Sequence, residues 1–287
     1  MYYCEDITSI IKKDHSICLR NFYKINKRIY YDDCVDAARY GSFNCLKFII
    51  NNNIYTKHDD KANNDLICAR ASQGGNIKCL RFLHKKGYKM DYLTCTFAAQ
   101  SGSIECISYA LKNGCTIEDE TIGEAIEYGN THIIKFLNNN HIPMDKLCHY
   151  AAKFNNESML EYAHIKGYKW DENVASIASK NCDLDNLEYI LKNGCPTDDR
   201  VCKNLAKSNH LLMLYIAHSK YSCKLTIDAT RTASKHGSLE CLIYLISNDC
   251  PYTNAECSII QKNNKYYCIL KYKHAIHKTD MEYMQYI

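Results

Sequence analysis

Eighteen of the 287 residues are cysteine and twelve are histidine, the side chains that bind soft metals, close disulfides or act as nucleophiles. Fifteen of the cysteines fall into three recurring classes. Cys18, Cys45, Cys79, Cys106, Cys241 and Cys268 form the first, and Cys34, Cys68, Cys95, Cys148, Cys202 and Cys257 the second. Cys115, Cys195 and Cys250 form the third. Equivalent positions elsewhere hold Ile, Met, Ala or Tyr, so these slots call for a modest, mostly apolar side chain, and a free thiol behaves as a small hydrophobe. Equivalent cysteines on neighbouring packed helices stand on the order of 8–10 Å apart, beyond the roughly 7 Å between Cα atoms that a disulfide spans. Pairs within one repeat, such as Cys34/Cys45 or Cys95/Cys106, come closer, yet two thiols fall short of the four ligands of a structural zinc. The expectation is a set of reduced core cysteines in a reducing compartment.

Among the histidines, His84, His164 and His218 share one repeat position and read as structural. His58, Asp59 and Asp60 have ligand chemistry but no spaced partner. Phosphate-cradling glycine loops, nucleophile motifs and HExxH are absent from the sequence, so no catalytic residue, metal or cofactor is implied. Trp170 and the tyrosines read as packing residues.

One charged pattern remains. Lys153, Lys180, Lys207, Lys235 and Lys262 follow one another at 27, 27, 28 and 27 residues. Arg39 repeats the choice nearer the N-terminus, while Gln73, Gln100 and Glu127 break it. A cation near a helix C-terminus interacts favourably with the helix dipole, by about 0.3–1 kcal/mol. A row of them on one face would also attract an acidic partner.

The elements that carry these residues announce themselves by repetition, the signature of a solenoid. Asp14, Gly41, Gly75, Gly102, Gly129, Asn155, Cys182, Asn209, Gly237 and Asn264 are equivalent anchors, separated by 27, 34, 27, 27, 26, 27, 27, 28 and 27 residues. The one long step holds a polar run near Tyr55–Asp65. Most anchors are Gly or Asn, which tolerate the left-handed conformation that ends a helix. Alanine stands four residues earlier at Ala37, Ala71, Ala98, Ala125, Ala151, Ala178 and Ala233, small enough for helices to approach closely. One residue after the anchor come Ser42, Asn76, Ser103, Asn130, Asn156, Asp183 and Ser238, expected N-caps of the next helix. Five after it every unit has Leu or Ile, for example Leu46, Leu80, Leu160 and Leu242. Pro143, Pro196 and Pro251 mark where second helices have ended, and Asp91, Asp145, Asp171 and Asp198 are placed to cap the next first helix. Helices of about ten residues are unstable alone, so the units must stack, each covering its neighbour's core.

The phrase Ala98-Ala99-Gln100-Ser101-Gly102-Ser103-Ile104-Glu105-Cys106-Ile107, with Gly114 behind it, resembles the ankyrin repeat, and the likeness runs over roughly Glu5 to Tyr272. These units are shorter than the ankyrin period of about 33 residues, and they lack its Thr-Pro-Leu-His opening. The resemblance implies that the projecting β-hairpin finger is trimmed to a turn such as Thr116-Ile117-Glu118-Asp119. Phrases such as Gly167-Tyr168-Lys169-Trp170-Asp171 and Asn193-Gly194-Cys195-Pro196 are similar to those of the divergent ankyrin families of giant, mimivirus-like DNA viruses. The family implies that first helices line a concave face, and that the partner is a host or viral protein.

The expectation is therefore an all-α chain, an α-solenoid of about ten stacked ankyrin-like helix-turn-helix repeats of about 27 residues with short or absent fingers. It is a single domain over residues 1–287, with a capping repeat at 1–30, interior repeats at 31–255, and a capping repeat with a short tail at 256–287. A net charge of +4 is too small to imply nucleic acid, and neither a signal peptide nor a membrane span is legible. The function read from this is a non-catalytic, cytoplasmic, monomeric protein-interaction scaffold. Arg39, Lys153, Lys180, Lys207, Lys235 and Lys262 would receive an acidic segment of the partner. An adaptor for a host ubiquitin ligase is the alternative within that class, and a cysteine-dependent metal-binding or redox protein is the alternative outside it.

Overall fold

The computed structural model describes residues 6–25, 28–56 and 66–252. Lys262, Cys257, Cys268, Asn264, the C-terminal capping repeat, His58–Asp60 and most of the polar run at 55–65 lie outside them. Eighteen helices occur among the described residues, in nine pairs. In chain order they are α1 (Ile7–Lys12) and α2 (Ser16–Lys24), α3 (Tyr31–Tyr40) and α4 (Phe43–Asn52), α5 (Ile67–Gln73) and α6 (Ile77–Lys85). Next come α7 (Tyr92–Ser101) and α8 (Ile104–Lys112), α9 (Asp119–Glu127) and α10 (Thr131–Asn139), α11 (Leu147–Lys153) and α12 (Glu157–Ile165). The last are α13 (Glu172–Asn181) and α14 (Leu184–Lys192), α15 (Asp199–Lys207) and α16 (Leu211–Ser219), α17 (Ile227–His236) and α18 (Leu239–Ser247). The chain is an α-solenoid of short helix pairs. Its one strand pairing among the described residues is a two-residue parallel ladder, β1 (Ile29–Tyr30) with β2 (Tyr55–Thr56), in the segments that follow α2 and α4.

Each pair turns on its anchor. All nine described anchors have positive φ, from 51° at Asp14 to 73° at Gly41 and Gly102. A second left-handed residue closes every second helix from α4 onward, at Asn53, Gly87, Gly114, His141, Gly167, Gly194, Ser222 and Asp249. That position lies twelve residues after the anchor in every case but one. At Ser222 it lies thirteen after Asn209, so the single extra residue of the 28-residue step sits in the turn that ends α16.

Backbone contacts divide the chain into two units, Met1–Tyr150 and Ala151–Ile287, with α11 carrying the junction. In each, first helices of successive pairs pack closely (α3 on α5 on α7 on α9; α13 on α15 on α17), whereas second helices touch more sparingly. The cause is side-chain size. The alanine slot is fully buried at all seven positions, and first helices meet across it, while the second helices carry Leu or Ile and an aromatic. The aliphatic slot is buried in every described pair, from Leu19 to Leu242, with at most 1% of any side chain exposed.

Asp91, Asp171 and Asp198 are N-caps, accepting from the backbone N–H of Thr94, Asn173 and Arg200 at 3.3, 2.9 and 3.0 Å. Asp145 lies two residues before the start of α11 rather than beside it.

Candidate partner-binding face

Arg39, Lys153, Lys180, Lys207 and Lys235 all occupy the last turn of a first helix, and all are exposed. Within the second unit this puts one ammonium at the same corner of α11, α13, α15 and α17. Lys180, Lys207 and Lys235 make no ion pair among the described residues. Lys153 carries its ammonium 4.9 Å from the centre of the Phe154 ring. In the first unit the same row reads Arg39, Gln73, Gln100 and Glu127. There Arg70 donates to Gln73 at 2.8 Å, and Gln73 donates to Gln100 at 2.8 Å, so neighbouring side chains satisfy one another.

The backbone beneath the row is held by the next pair. Asn76 donates to the Arg39 carbonyl at 2.9 Å, Asn130 to Gln100 at 2.8 Å and to Ala99 at 2.9 Å, and Asn181 to Lys153 at 2.8 Å. Ser238 donates to the Lys207 carbonyl at 3.2 Å, and Ser42 to that of Ile11. The last carbonyls of a helix have no partner inside it, and here the following repeat supplies one. The carbonyls of Arg39, Lys153 and Lys207 are thus satisfied by the following repeat and not by the basic side chains of the row.

This corrects part of the capping expectation. Ser103, Asn156 and Asp183 do cap their own helices, accepting from Cys106, Met159 and Asn186. Ser42, Asn76, Asn130 and Ser238 do not; their side chains reach back one repeat instead. Where they do, the previous anchor sometimes takes over the cap. Asp14 accepts from the N–H of Asn44 and Cys45 at 3.2 and 2.8 Å, and Asn209 from Cys241 at 3.5 Å.

The recurrent histidines form cross-links between repeats. His84, His164 and His218 each place Nδ1 at 2.9, 3.1 and 2.9 Å from the hydroxyl of Tyr109, Tyr189 and Tyr244 in the following pair. Their rings meet edge to face, and Trp170 stacks on His164 with centroids 4.2 Å apart. Each imidazole is thereby committed to packing.

Most described cysteines are buried and all are thiols rather than disulfides; Cys18 and Cys182 are half-buried. Burial pushes the thiols of Cys45, Cys68, Cys79 and Cys241 up to about 12, which leaves them protonated and inert. Among the described residues no group of three or more His, Cys, Asp or Glu is placed to hold a metal ion. No helix there is long and apolar enough to cross a membrane.

No family model matches this sequence, and no curated protein matches it either. Among solved structures the chain is similar to the ankyrin repeat domain of human ASB11, at 17% identity and a TM-score of 0.45, over 56% of this chain and 83% of that one. It is also similar to the pentatricopeptide repeat protein PPR10 in complex with an 18-nt psaJ RNA element, at 8% identity and a TM-score of 0.46. That match covers 92% of this chain and 47% of the other, so this chain spans about half its length. The repeated anchors, the paired short helices and the stacked alanine faces make the chain a helical repeat protein.

Proposed function

We propose that the chain is a non-catalytic binding scaffold of divergent ankyrin type, and that the lysine row of its second unit receives an acidic segment of a partner protein. The observation that carries this reading is the exposed, equivalently placed set Lys153, Lys180, Lys207 and Lys235, three of which make no ion pair among the described residues. Successive ammonium groups on packed helices stand about 8–10 Å apart, close to the Debye length of about 8 Å at physiological salt. Their potentials therefore overlap without strong mutual repulsion. In ankyrin-like stacks the first helices line the concave face, and the extended concave surface of a solenoid lets a bound segment meet several repeats at once. The Asn193-Gly194-Cys195-Pro196 type of phrasing supports a source among giant DNA viruses and hence a host partner.

The test uses a fluorescent glutamate-rich peptide, with anisotropy read at low and at physiological salt. The Lys180→Gln, Lys207→Gln, Lys235→Gln triple variant should bind it about tenfold more weakly, equivalent to about 1.4 kcal/mol, and with a shallower salt dependence. Equal binding by both proteins would return the lysines to the helix-dipole role alone. Tighter binding of a single-stranded RNA oligonucleotide than of the peptide would replace the acidic protein segment with a nucleic acid.

A further inference from the structure

The second and third cysteine classes face each other inside a single helix pair. The clearest view is in the α17–α18 pair, where Cys250, in the turn that closes α18, lies 3.1 Å from the Thr230 hydroxyl and donates to the Thr226 carbonyl at 3.1 Å. Cys195 takes the same place after α14 and donates to the Asp171 carbonyl at 3.3 Å. In the α5–α6 pair Cys68 donates to the carbonyl of Tyr88, the residue in the third-class slot, at 3.8 Å. A side chain in the turn after a second helix thus sits over the first turns of the first helix of its own pair.

Two pairs fill both slots with thiols. Cys95 of α7 faces Cys115 after α8, and their side chains are hydrogen-bonded. Cys202 of α15 faces Cys223 after α16 in the same way. Cys223 belongs to the third class once the extra residue at Ser222 is allowed for. Other pairs hold Thr230 with Cys250, Cys68 with Tyr88, or Ile122 with Ile142 in these slots, so packing alone does not call for two sulfurs.

We infer that Cys95–Cys115 and Cys202–Cys223 are oxidation sites, each closing to a disulfide within one helix pair when the protein meets a peroxide. One thiol of each pair, once ionised, attacks an oxygen of hydrogen peroxide, the O–O bond breaks, a sulfenic acid forms, and the departing hydroxide takes up the proton the thiol released and leaves as water. The partner thiol then attacks the sulfenic sulfur, the S–S bond forms as the S–OH bond breaks, and the hydroxyl leaves as a second water with the partner's proton. Two thiols lose two electrons in all and one peroxide gains them. Cys115 is 8% exposed and Cys223 1%, so the first pair closes faster.

The experiment treats the reduced full chain with hydrogen peroxide, blocks residual thiols and maps peptides without reduction. The expected result is Cys95–Cys115 and then Cys202–Cys223 linkages, reversed by dithiothreitol, with a raised melting temperature. Cys115→Ser and Cys223→Ser should each abolish one linkage and leave the other. Stable sulfinic acid at these cysteines, linkages elsewhere such as Cys18–Cys45, or thiols that stay reduced while Cys18 and Cys182 oxidise would each overturn the inference.

Discussion

The two units solve one structural problem in opposite ways. At the last turns of α5 and α7 the first unit joins its side chains to one another, Arg70 to Gln73 to Gln100. The second unit places Lys153, Lys180, Lys207 and Lys235 there, like charges that cannot pair among themselves. Both units satisfy the carbonyls underneath from the following repeat, through Asn76 and Asn130 in one and Asn181 and Ser238 in the other. In the second unit these bonds between repeats do not involve the side chains of the row. That independence is what lets the row differ between units, and it separates a stacking function from a surface one.

The comparison can be broken at the core first. Leu80 and Leu160 occupy the same slot in the two units and are both fully buried. Leu80→Asp and Leu160→Asp should each cost more than about 4 kcal/mol, because an unpaired carboxylate is forced into an apolar layer. Urea titration of the two variants checks it. A cost near that of a surface change at either position would show that the slot is not equivalent in the two units.

A middle-sized effect separates the anchors. Gly41 has φ +73°, and a Cβ there would stand 2.3 Å from the Asn76 side-chain oxygen. Gly237 has φ +71° with nothing within 4 Å of the added atom. Gly237→Ala should cost about 1 kcal/mol, the left-handed penalty alone. Gly41→Ala should cost roughly 2–3 kcal/mol, since it also displaces the amide that satisfies the Arg39 carbonyl. Thermal melts of the two variants should rank in that order, and equal shifts would remove the amide from the account.

The smallest effect sharpens the comparison most. The Lys180→Gln, Lys207→Gln, Lys235→Gln variant that weakens peptide binding should change unfolding free energy by only about 1 kcal/mol in total, the low end of the dipole contribution of three exposed cations. A larger loss in urea would tie the row to stability and dissolve the distinction between the units.

The repeat register was legible in the sequence because each slot imposes one physical demand. A left-handed turn asks for Gly, Asn or Asp, and a close helix contact asks for Ala. Those demands recur at one spacing, and the positive φ values fall on all nine described anchors, Cys182 included. The partners of Ser42, Asn76, Asn130 and Ser238 were not legible. A short polar side chain after an anchor can cap its own helix or reach back a repeat, and the residue at the anchor does not separate the two, since glycine precedes both Ser42 and Ser103. Cys223 escaped its class because a 28-residue step does not say where its extra residue lies. From the sequence Cys95 and Cys106 were only expected to lie closer than cysteines of adjacent repeats, whereas folding sets Cys95 against Cys115 at the far end of the pair. Of the candidate face, the identity and equivalence of the lysines were readable, while the carbonyl clamps beneath them needed the packed neighbour.

The reach of Asn76 and Asn130 onto the preceding repeat bears on how such a chain can be lengthened or rearranged. Gly41 and Gly102 each leave room for the asparagine one repeat later, within 2.3 and 2.7 Å of where a Cβ would lie. Asp14 instead caps α4 ahead of Ser42. The inheritable module is consequently a junction, an anchor together with its successor's first polar residue. A duplication whose breakpoint fell between them, setting an Asp14-type anchor before an Asn76-type follower, would join two sound repeats at an incompatible seam. A duplication that preserves the pairing at its seam keeps these contacts, which makes the grammar of the array one of neighbours rather than of units.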